Sequence, residues 1–411
     1  MYFIIAAIVV VVACSAITIK TLVGYNDFSL LTKVIISALV LLGWSAPLLV
    51  GWIRSHNYLN GLLFNIVSYA GYFLFGLMFI LFIMLILRDF AWYLVYGLAK
   101  LFDSAGWGLN PKNLSSLGYA NLVIVVVALA TSVYAVREGT KVPEIKKVEF
   151  TSERLQKDLH IVQLSDLHIN RTTSAAHLQQ VVDETNALNP DIIALTGDVV
   201  DDHINHLDRY MDILSGLKAK NGVYFSVGNH ENYNGLSFIL KKLRSMGFEV
   251  LLNNGKRIEE DKIFISGIPD MQTAMSSRYL AVNFEKATKG AEPEDYRILL
   301  SHSPEMAEYV TKIAFDLVLA GHTHGGQIFP FHLLAKKANK LLAGAYKVND
   351  VNIYVSRGAG YWGPPMRLFA PSEITDIYIK AVRPEPVRDK KLEKDETYQE
   401  LLNAQNFGLG L

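Results

Sequence analysis

Two histidines separated by one residue are the side chains with the clearest capacity for chemistry in this sequence. His322 and His324 lie within Gly-His-Thr-His-Gly-Gly-Gln at residues 321–327 and follow the apolar run 315–320, which predicts a buried strand. Because side chains alternate along a strand and glycine permits a sharp turn, both imidazoles can point the same way. Imidazole nitrogens bind transition-metal ions, so the pair indicates a metal site; two surface histidines are the ordinary alternative.

Residues 155–382 have the pattern of an α/β domain. Short apolar runs alternate with helical stretches such as 175–188 and 236–246. This alternation predicts a domain built on a substantial sheet. The predicted strands are 160–164, 191–195, 222–227, 262–265, 296–300, 315–320, 352–355 and 374–379.

Polar side chains follow five of these strands at the point where each strand ends. They are Asp166, His168, Asp198, Asn229, His230, His302, His322 and His324. Because sites in α/β sheets form beyond the carboxyl ends of the strands, we expect these groups on one rim. Taken singly, Asp166 is compatible with a helix N-cap, Asp198 with a turn and His302 with the surface. Their coincidence at five strand ends favours a shared metal site.

The first third of the chain has a different composition. Among 411 residues, 39 basic and 39 acidic side chains balance, so net charge indicates no nucleic-acid partner and none is expected. Charged residues are only 19%, and apolar runs occupy about 2–19, 34–53, 61–87 and 118–136. Each run is close to the ~20 residues that cross a bilayer, which predicts an all-α, four-helix transmembrane region at 1–136. A cleaved signal peptide is the alternative for the first run, but no basic segment precedes it.

Three further segments are assigned from their composition. Residues 90–102 are rich in aromatic side chains, which favours an interfacial or re-entrant helix; an extension of the third span is the alternative. Residues 137–154 are predicted to form a charged linker, and residues 383–411 a polar C-terminal tail. Cys14 is the only cysteine, so the chain forms no internal disulfide, and a reducing compartment is compatible.

Basic residues near the span ends indicate the orientation in the membrane. Arg54 follows the second span, and Arg137 and Lys141 follow the fourth, so all three lie on one side. The positive-inside rule makes that side cytoplasmic, although Lys33 and Lys100 on the other side oppose the assignment. We therefore expect an integral membrane protein whose folded domain lies in the cytoplasm.

The polar strand-end residues also occur in a recognisable order. Asp166-x-His168, Gly197-Asp198, Gly228-Asn229-His230-Glu231, His302 and Gly321-His322-x-His324 resemble the five-block signature of the calcineurin-like metallophosphoesterase superfamily. Residues 321–327, 357–360 and 364–367 resemble its YkuE-like branch, which has membrane-anchored bacterial members. This resemblance implies the inner membrane of a bacterium as the location. The resemblance covers residues 155–382 but not the four spans. It implies a ββ-sandwich flanked by helices, in four α/β/β/α layers.

The resemblance also implies a dinuclear metal centre. Asp166, His168 and His324 are expected to bind the first ion. Asn229, His302 and His322 are expected to bind the second, with Asp198 bridging both. Carboxylate and imidazole ligands without thiolate suit manganese, with iron or zinc as alternatives, and argue against a closed structural zinc site.

Further roles are expected near the two metal ions. His230 would stabilise developing charge or protonate the leaving oxygen, and Glu231 would hold its ring. Asp201 is a candidate for orienting a metal ligand, with a solvated turn as the alternative. Arg357 and Arg367 are candidates for binding substrate phosphate, with structural ion pairs as the alternative.

The expected function is that of a membrane-anchored, metal-dependent phosphohydrolase. A hydroxide bridging two metal ions would cleave a phosphoester or pyrophosphate, and the spans favour a lipid-linked substrate in the bilayer. One alternative is a phosphodiesterase for a soluble substrate that is merely tethered to the membrane. The other is a transport or signalling protein with a regulatory metal-binding domain, which predicts ionisable residues inside the spans. Such residues are nearly absent.

Overall fold

The described residues form a bundle of long helices followed by an α/β domain. The structure is a computed structural model that describes residues 2–24, 26–56, 58–59, 61–101, 114–276, 280–311 and 314–382. The predicted tail at 383–411, and residue 102 at the end of the predicted interfacial segment, lie outside these ranges.

Four long apolar helices occupy the N-terminal part of the described chain. They are α1 (Tyr2–Val23), α2 (Leu30–Ser55), α3 (Gly61–Leu101) and α4 (Leu114–Thr140). Each contains a stretch long and apolar enough to cross a membrane. Large apolar side chains such as Val9, Leu31 and Leu122 are exposed on them, as expected for helices surrounded by lipid. Ser29 precedes α2 and caps it, because its hydroxyl accepts the backbone N–H of Thr32.

The segment predicted at 90–102 is not a separate helix. As far as Leu101 it continues α3, which runs without interruption from Gly61. The polar Arg88 does not end the helix, because its guanidinium donates to the side chains of Asp89 and of Asn121 on α4. The extension of the third span is therefore the reading that the structure supports.

One sheet, six-stranded in the described residues, carries the first three of the five strand ends. In spatial order its strands are β1 (Glu144–Ser152), β12 (Glu373–Ala381), β2 (Leu159–Leu164), β3 (Ile192–Thr196), β4 (Val223–Ser226) and β5 (Glu249–Leu251). Strands β2 to β5 are parallel, so their carboxyl ends share one edge. β12 is antiparallel to β2 and parallel to β1.

The stretch 137–154 was predicted to be a charged linker, but it contains strand β1. Residues 144–147 at the start of this strand are exposed and mostly charged. An edge strand needs only one hydrogen-bonded neighbour and little apolar burial, so its composition resembles that of a linker. The helix bundle is thus connected to the domain through a strand of the first sheet.

The second sheet, also six-stranded in the described part of the chain, carries the other two strand ends. In spatial order its strands are β10 (Gly344–Val348), β11 (Val351–Val355), β9 (Leu317–Ala320), β8 (Tyr296–Leu300), β7 (Ile263–Gly267) and β6 (Asn254–Ile258). The four inner strands are parallel, and the edge strands β6 and β10 are antiparallel to their neighbours. The edge strands β5, β6 and β10 were not predicted, because they are short or incompletely buried.

Helices cover the outer faces of the two sheets. The α-helices described in the domain are α5 (Ala175–Ala187), α6 (Asp208–Leu214), α7 (Asn229–Tyr233), α8 (Leu236–Ser245), α9 (Met271–Ser276), α10 (Phe284–Ala287) and α11 (His332–Asn339). Residues of α5, α6 and α8 pack on the first sheet, and residues of α9 and α10 on the second. Ile161 of β2 and Ile265 of β7 belong to the apolar layer between the sheets. Leu178 of α5 packs outside the first sheet, and Ala287 of α10 outside the second. The predicted four-layer α/β/β/α sandwich is confirmed.

The helix bundle packs directly against the domain. Ile328, Met366 and Leu368 of the domain are buried in one apolar cluster with bundle residues such as Trp44 of α2 and Met78 of α3. This cluster fixes the position of the domain relative to the helices.

Two glycines on the bundle permit this close packing. A Cβ on Gly76 of α3 would lie 2.5 Å from the Met366 sulfur, and one on Gly139 of α4 would lie 2.9 Å from the domain backbone. The backbone N–H of Arg367 also donates to the carbonyl oxygen of Ala135 on α4, at 2.8 Å. Domain and bundle therefore share a hydrogen bond as well as an apolar core.

Candidate metal centre

The structure brings the predicted ligands together at the carboxyl ends of β2, β3, β4, β8 and β9. In three groups of side chains, the donor atoms lie within 4.8 Å of one another. The groups are Asp166, His168 and His324; His168, Asp198 and His230; and Asp198, His302 and His322. Such clusters of imidazole and carboxylate suit divalent metal ions.

Five of the predicted ligands adopt a backbone conformation that is unfavourable for their residue type. The φ angle is 53° at Asp166, 46° at His168, 50° at Asp198, 71° at His322 and 50° at His324. A side chain with a Cβ loses about 1–3 kcal/mol in this left-handed region, and such residues concentrate at functional sites. The clustering of these angles on one rim therefore supports a functional site there.

The first group directs three donor atoms towards one point. His168 Nε2 lies 3.0 Å from His324 Nε2, and Asp166 Oδ1 lies 3.3 Å from His324 Nε2. Two imidazole nitrogens at this distance repel each other if both present lone pairs, unless a cation or a proton lies between them. Burial lowers the pKa of His324 to about 4, although Asp166 opposes the shift. A neutral ring in this position is suited to bind a metal ion.

The group of Asp198, His302 and His322 has the same kind of geometry. His302 Nε2 lies 3.1 Å from His322 Nδ1 and 3.1 Å from Asp198 Oδ2. His302 Nδ1 donates to the carbonyl oxygen of Thr196 at 2.8 Å, which leaves Nε2 for a metal ion. Asn229 Oδ1 is buried and has no hydrogen-bond partner among the described residues. A buried amide oxygen needs a partner, so this atom fits a ligand of the second ion.

Asp198 lies between the cluster of Asp166, His168 and His324 and the pair His302 and His322. Its Oδ2 is 3.1 Å from His302 Nε2 and 3.8 Å from His168 Nε2. Its Oδ1 accepts the backbone N–H of His230 at 2.8 Å. Gly228 lies so close to this carboxylate that any Cβ there would overlap it. The position of Asp198 is compatible with a ligand shared by two metal ions.

The carboxylates of the cluster are ionised. Burial favours the neutral acid at Asp166, but three neighbouring histidines, foremost His324, hold its pKa well below the usual value. Burial opposes ionisation at Asp198 as well, and His302 is the main group that lowers its pKa. The rim therefore concentrates negative charge in a place from which water is largely excluded, and divalent cations would neutralise this charge.

His230 is held by Asp201. The His230 Nδ1 atom lies 2.8 Å from Asp201 Oδ1, and Asn234 donates to the same oxygen at 3.3 Å. Burial favours the neutral ring, but the bond to Asp201 and the charge of Asp198 raise the pKa of His230 to about 9. His230 Nε2 faces the cluster, 3.9 Å from Asp198 Oδ2. A protonated imidazole placed in this way can donate a proton to a departing oxygen.

Glu231 does not hold the ring of His230, contrary to the prediction. Its buried carboxylate accepts the backbone N–H groups of Asp198 at 3.1 Å, Val200 at 3.0 Å and Gly228 at 2.9 Å. Glu231 lies in the first turn of α7, from which a carboxylate reaches back to the free N–H groups at the helix start. Burial and the Asp198 charge raise the pKa of Glu231 to about 7. Glu231 therefore braces the loops that carry the ligands.

The two arginines predicted to bind substrate phosphate have other partners. Arg367 is fully buried and donates to five backbone carbonyl oxygens, one of them that of His324. Arg367 Nη2 also lies 3.3 Å from His324 Nδ1, which places it behind a predicted metal ligand. Arg357 Nε donates to Glu373 Oε2 at 2.7 Å, which is the ion-pair alternative. Arg367 is engaged in this way because a buried guanidinium needs acceptors for its five N–H donors.

Two residues that sequence reasoning did not assign to the site lie beside it. Arg54, at the C-terminal end of α2, donates to the carbonyl oxygen of Asp201 at 2.7 Å and to Asn234 Oδ1 at 2.8 Å. The ring of Trp362 lies 5.9 Å from the ring of His230. A basic residue after a span indicates topology only, and the partner of Arg54 is 147 positions away. No local pattern could have revealed this contact.

Comparisons with known proteins agree with this geometry. A family model described as Calcineurin-like phosphoesterase matches residues 159–326. An uncharacterized metallophosphoesterase of Campylobacter jejuni is 33% identical over 261 residues, covering 63% of this chain and 69% of that protein. A transmembrane protein with metallophosphoesterase domain from Danio rerio is 35% identical over 273 residues, covering 63% and 62%. The metallophosphoesterase YkuE of Bacillus subtilis is 30% identical over 231 residues, covering 54% and 79%.

The four-layer sandwich and its rim of histidine and aspartate are those of a metallophosphoesterase domain, here joined to helices that can span a membrane. The chain belongs to the calcineurin-like metallophosphoesterase family. The expected superfamily is confirmed. The aligned region covers less than two thirds of the Danio rerio relative, at 62% of its length.

Proposed function

We propose that this protein is a membrane-anchored, metal-dependent phosphohydrolase. The observation that carries the proposal is the convergence of six of the seven predicted ligands, five of them in unfavourable backbone conformations. The seventh, Asn229, has a buried Oδ1 with no hydrogen-bond partner among the described residues. Asp198 would be shared by two divalent cations. Asp166, His168 and His324 would complete one site, and Asn229, His302 and His322 the other.

Each part of the site has a proposed task. Two divalent cations, manganese first and iron or zinc as alternatives, would lower the pKa of a water molecule and offset the charge of a phosphate group. His230 would protonate the leaving oxygen from Nε2, while Asp201 keeps the ring charged and fixed through Nδ1. Glu231 would keep the loop of Asp198 in place. The proposed reaction is hydrolysis of a phosphoester or a pyrophosphate.

A lipid-linked substrate is the proposed substrate class. The helix bundle contacts the loops of the site, because Arg54 binds the backbone of Asp201, the residue that holds His230. The loop that carries Met366 packs between α3 and α4. A phosphate in the headgroup region would therefore lie near the metal-binding rim. A soluble phosphodiester cleaved by a merely tethered domain is the competing substrate class.

The proposed location is the inner membrane of a bacterium, with the domain in the cytoplasm. Arg54 at the end of α2, and Arg137 and Lys141 near the end of α4, lie at the end of the bundle that meets the domain. Basic residues at span ends favour the cytoplasmic side. The proposed catalytic domain comprises residues 155–382, and β1 extends its first sheet.

The proposed reaction can be tested with the full chain purified in detergent. Metal analysis would be paired with hydrolysis of bis(p-nitrophenyl) phosphate with and without manganese. The proposal predicts bound metal in the wild type and a large loss of both metal and activity in Asp198→Asn. In His230→Ala the loss should be small with this substrate, because nitrophenolate leaves without a proton, and larger with a diester that has an alkyl leaving group. Asp208→Asn is the matched control, because the Asp208 side chain is 79% exposed on α6. Equal rates in all four proteins would refute the proposed reaction.

A second experiment separates the two substrate classes. In mixed micelles, the rate with a lipid-linked phosphodiester should depend on its mole fraction in the micelle. The reason is that such a substrate would reach the site by diffusing along the micelle surface and not from bulk solution. A soluble diester should be cleaved with much lower kcat/KM. Equal kcat/KM for both substrates would favour the tethered enzyme for a soluble substrate.

A further inference from the structure

An exposed apolar surface follows the 321–327 motif directly. It consists of large side chains that are exposed although most of the domain's apolar residues are buried. They are Phe329 (42% exposed), Phe331 (45%), Leu333 (63%), Leu334 (62%) and Phe369 (81%). The rings of Phe329 and Phe369 meet edge to face with centroids 5.7 Å apart, so the two segments form one surface. We refer to these five residues as the Phe369 patch.

The Phe369 patch continues the contact between domain and helix bundle. Ile328 and Leu368 directly precede Phe329 and Phe369, and both are buried in the cluster formed with the bundle. The backbone N–H of Phe329 donates to the carbonyl oxygen of Leu368 at 3.1 Å, which keeps the two segments side by side. The patch therefore begins where the packing against the membrane-spanning helices ends.

The lengths of the helices place this contact near one face of the membrane. Met366 contacts α3 at Gly76, and from there α3 continues to Leu101 over roughly 38 Å at 1.5 Å per residue. On α4, the segment from Leu114 to Ala135, which bonds the domain, is roughly 32 Å long. Both lengths suffice for a hydrocarbon core of ~30 Å. The domain residues at this level lie at the boundary of the bilayer if the third span begins near Gly76, which shifts it towards Leu101 relative to the predicted 61–87.

The charge around the Phe369 patch suits an anionic lipid surface. Residues 317–349 contain no aspartate or glutamate. On α11, Lys336 and Lys337 are exposed one turn after Leu333 and Leu334. From outside this range, Glu308 pairs with Lys340 at the C-terminal end of α11. Apolar side chains beside lysines, with few acidic residues, are typical of a helix that lies in the interface of a membrane with anionic lipids.

We propose that the Phe369 patch inserts into the headgroup region of the bilayer that the helix bundle crosses, and that Lys336 and Lys337 contact anionic lipid headgroups. The patch would thus be a second membrane contact of the catalytic domain, in addition to its covalent attachment. This inference rests on the membrane-spanning assignment of the helices and not on the proposed reaction.

The Phe369 patch is connected to the metal-binding rim through Gln327 and Arg367. The Gln327 side chain donates to the carbonyl oxygen of Trp362 at 2.8 Å and accepts the Trp362 backbone N–H at 2.9 Å. Arg367 bonds the carbonyl oxygen of His324. Because these contacts tie the patch segments to a predicted metal ligand, membrane insertion of the patch holds the rim at the depth of lipid phosphates.

Site-specific fluorescence tests the proposal independently of activity. Cys14 is the only cysteine, so Leu334→Cys in a Cys14→Ala background can carry a single environment-sensitive label. The full chain would be placed in nanodiscs of phosphatidylcholine with phosphatidylglycerol. The control is Lys220→Cys, an exposed position just before β4, at the opposite edge of the sheet from the rim. Phe369→Cys provides a second labelled position in the patch.

The emission of labels at Leu334→Cys and Phe369→Cys should be shifted to the blue. Doxyl lipids should quench these labels several-fold more strongly than the control label, and iodide should not quench them. Lys336→Glu with Lys337→Glu should weaken this quenching in anionic nanodiscs and change it less in phosphatidylcholine alone. Labels as accessible to iodide as at Lys220→Cys would overturn the proposal. Labels protected from both iodide and doxyl lipids would assign the patch to a protein partner and would also overturn it.

Discussion

Replacing Asp201 with asparagine tests whether His230 is a proton donor. Asp201 Oδ1 lies 2.8 Å from His230 Nδ1, and the backbone of Asp201 is held independently by Arg54. Asparagine keeps the volume and an acceptor oxygen but removes the negative charge. The change therefore lowers the tendency of the His230 imidazole to hold a proton. Asp201 Oδ2 also lies 3.7 Å from Nδ1 of the predicted ligand His168, so metal content is measured in the same variant.

The expected loss follows from the strength of this contact. A hydrogen bond to a charged group contributes about 1.5–3 kcal/mol, which corresponds to about 10- to 150-fold in rate. The bond to Asp201 helps to raise the pKa of His230 to about 9, so the variant should have a lower pKa at this residue. The loss should appear where the leaving oxygen needs a proton, as in an alkyl ester, and should be small for nitrophenolate, which leaves as the anion.

The assay compares kcat/KM for a diester with an alkyl leaving group and for bis(p-nitrophenyl) phosphate. Asp208→Asn makes the same chemical change at a side chain that is 79% exposed and 3.6 Å from Lys242. An exposed pair of this kind contributes little, so this control should match the wild type with both substrates. Equal losses of Asp201→Asn with both leaving groups, or no loss with either, would refute the assignment of His230 as proton donor.

Further predictions concern stability, metal affinity, domain packing and pH. Glu231→Gln should lower the unfolding midpoint by several degrees in differential scanning fluorimetry, because an unpaired buried polar group costs about 1–3 kcal/mol and each kcal/mol shifts a domain of this size by about 2–4 °C. Arg367→Met should weaken metal binding about 10- to 100-fold in a metal titration, because it removes the support behind a ligand. Gly139→Val should lower the unfolding midpoint, whereas Gly51→Val, with no atom within 4 Å of its Cβ, should not. Alkyl-ester hydrolysis should decline as the pH rises through about 9, where His230 loses its proton. Bound cations repel the protonated ring and lower its pKa, so they would move this decline to lower pH.

Local patterns in the sequence determined the architecture and the types of ligand. Helix α3 was recognised because an uncharged run longer than a bilayer requires has few alternatives in water. Strand β9 was recognised because a short apolar run ends in glycine. His322 and His324 follow that strand, and the same pattern recurs at four other strands. Since parallel strands end at one edge, the convergence of these ligands could be predicted before their distances were known.

Only the tertiary structure decided what each supporting residue binds. Glu231, next to His230, braces the backbone instead, while Asp201, 29 positions away, holds the ring. The Arg367 guanidinium donates to backbone carbonyl oxygens, and Arg54 of the helix bundle donates to the backbone of Asp201 at the site. The physical reason is that residue type limits which bonds a side chain can form, but the partner is the group that folding places within about 3 Å. That choice depends on contacts between distant segments, which no local pattern contains.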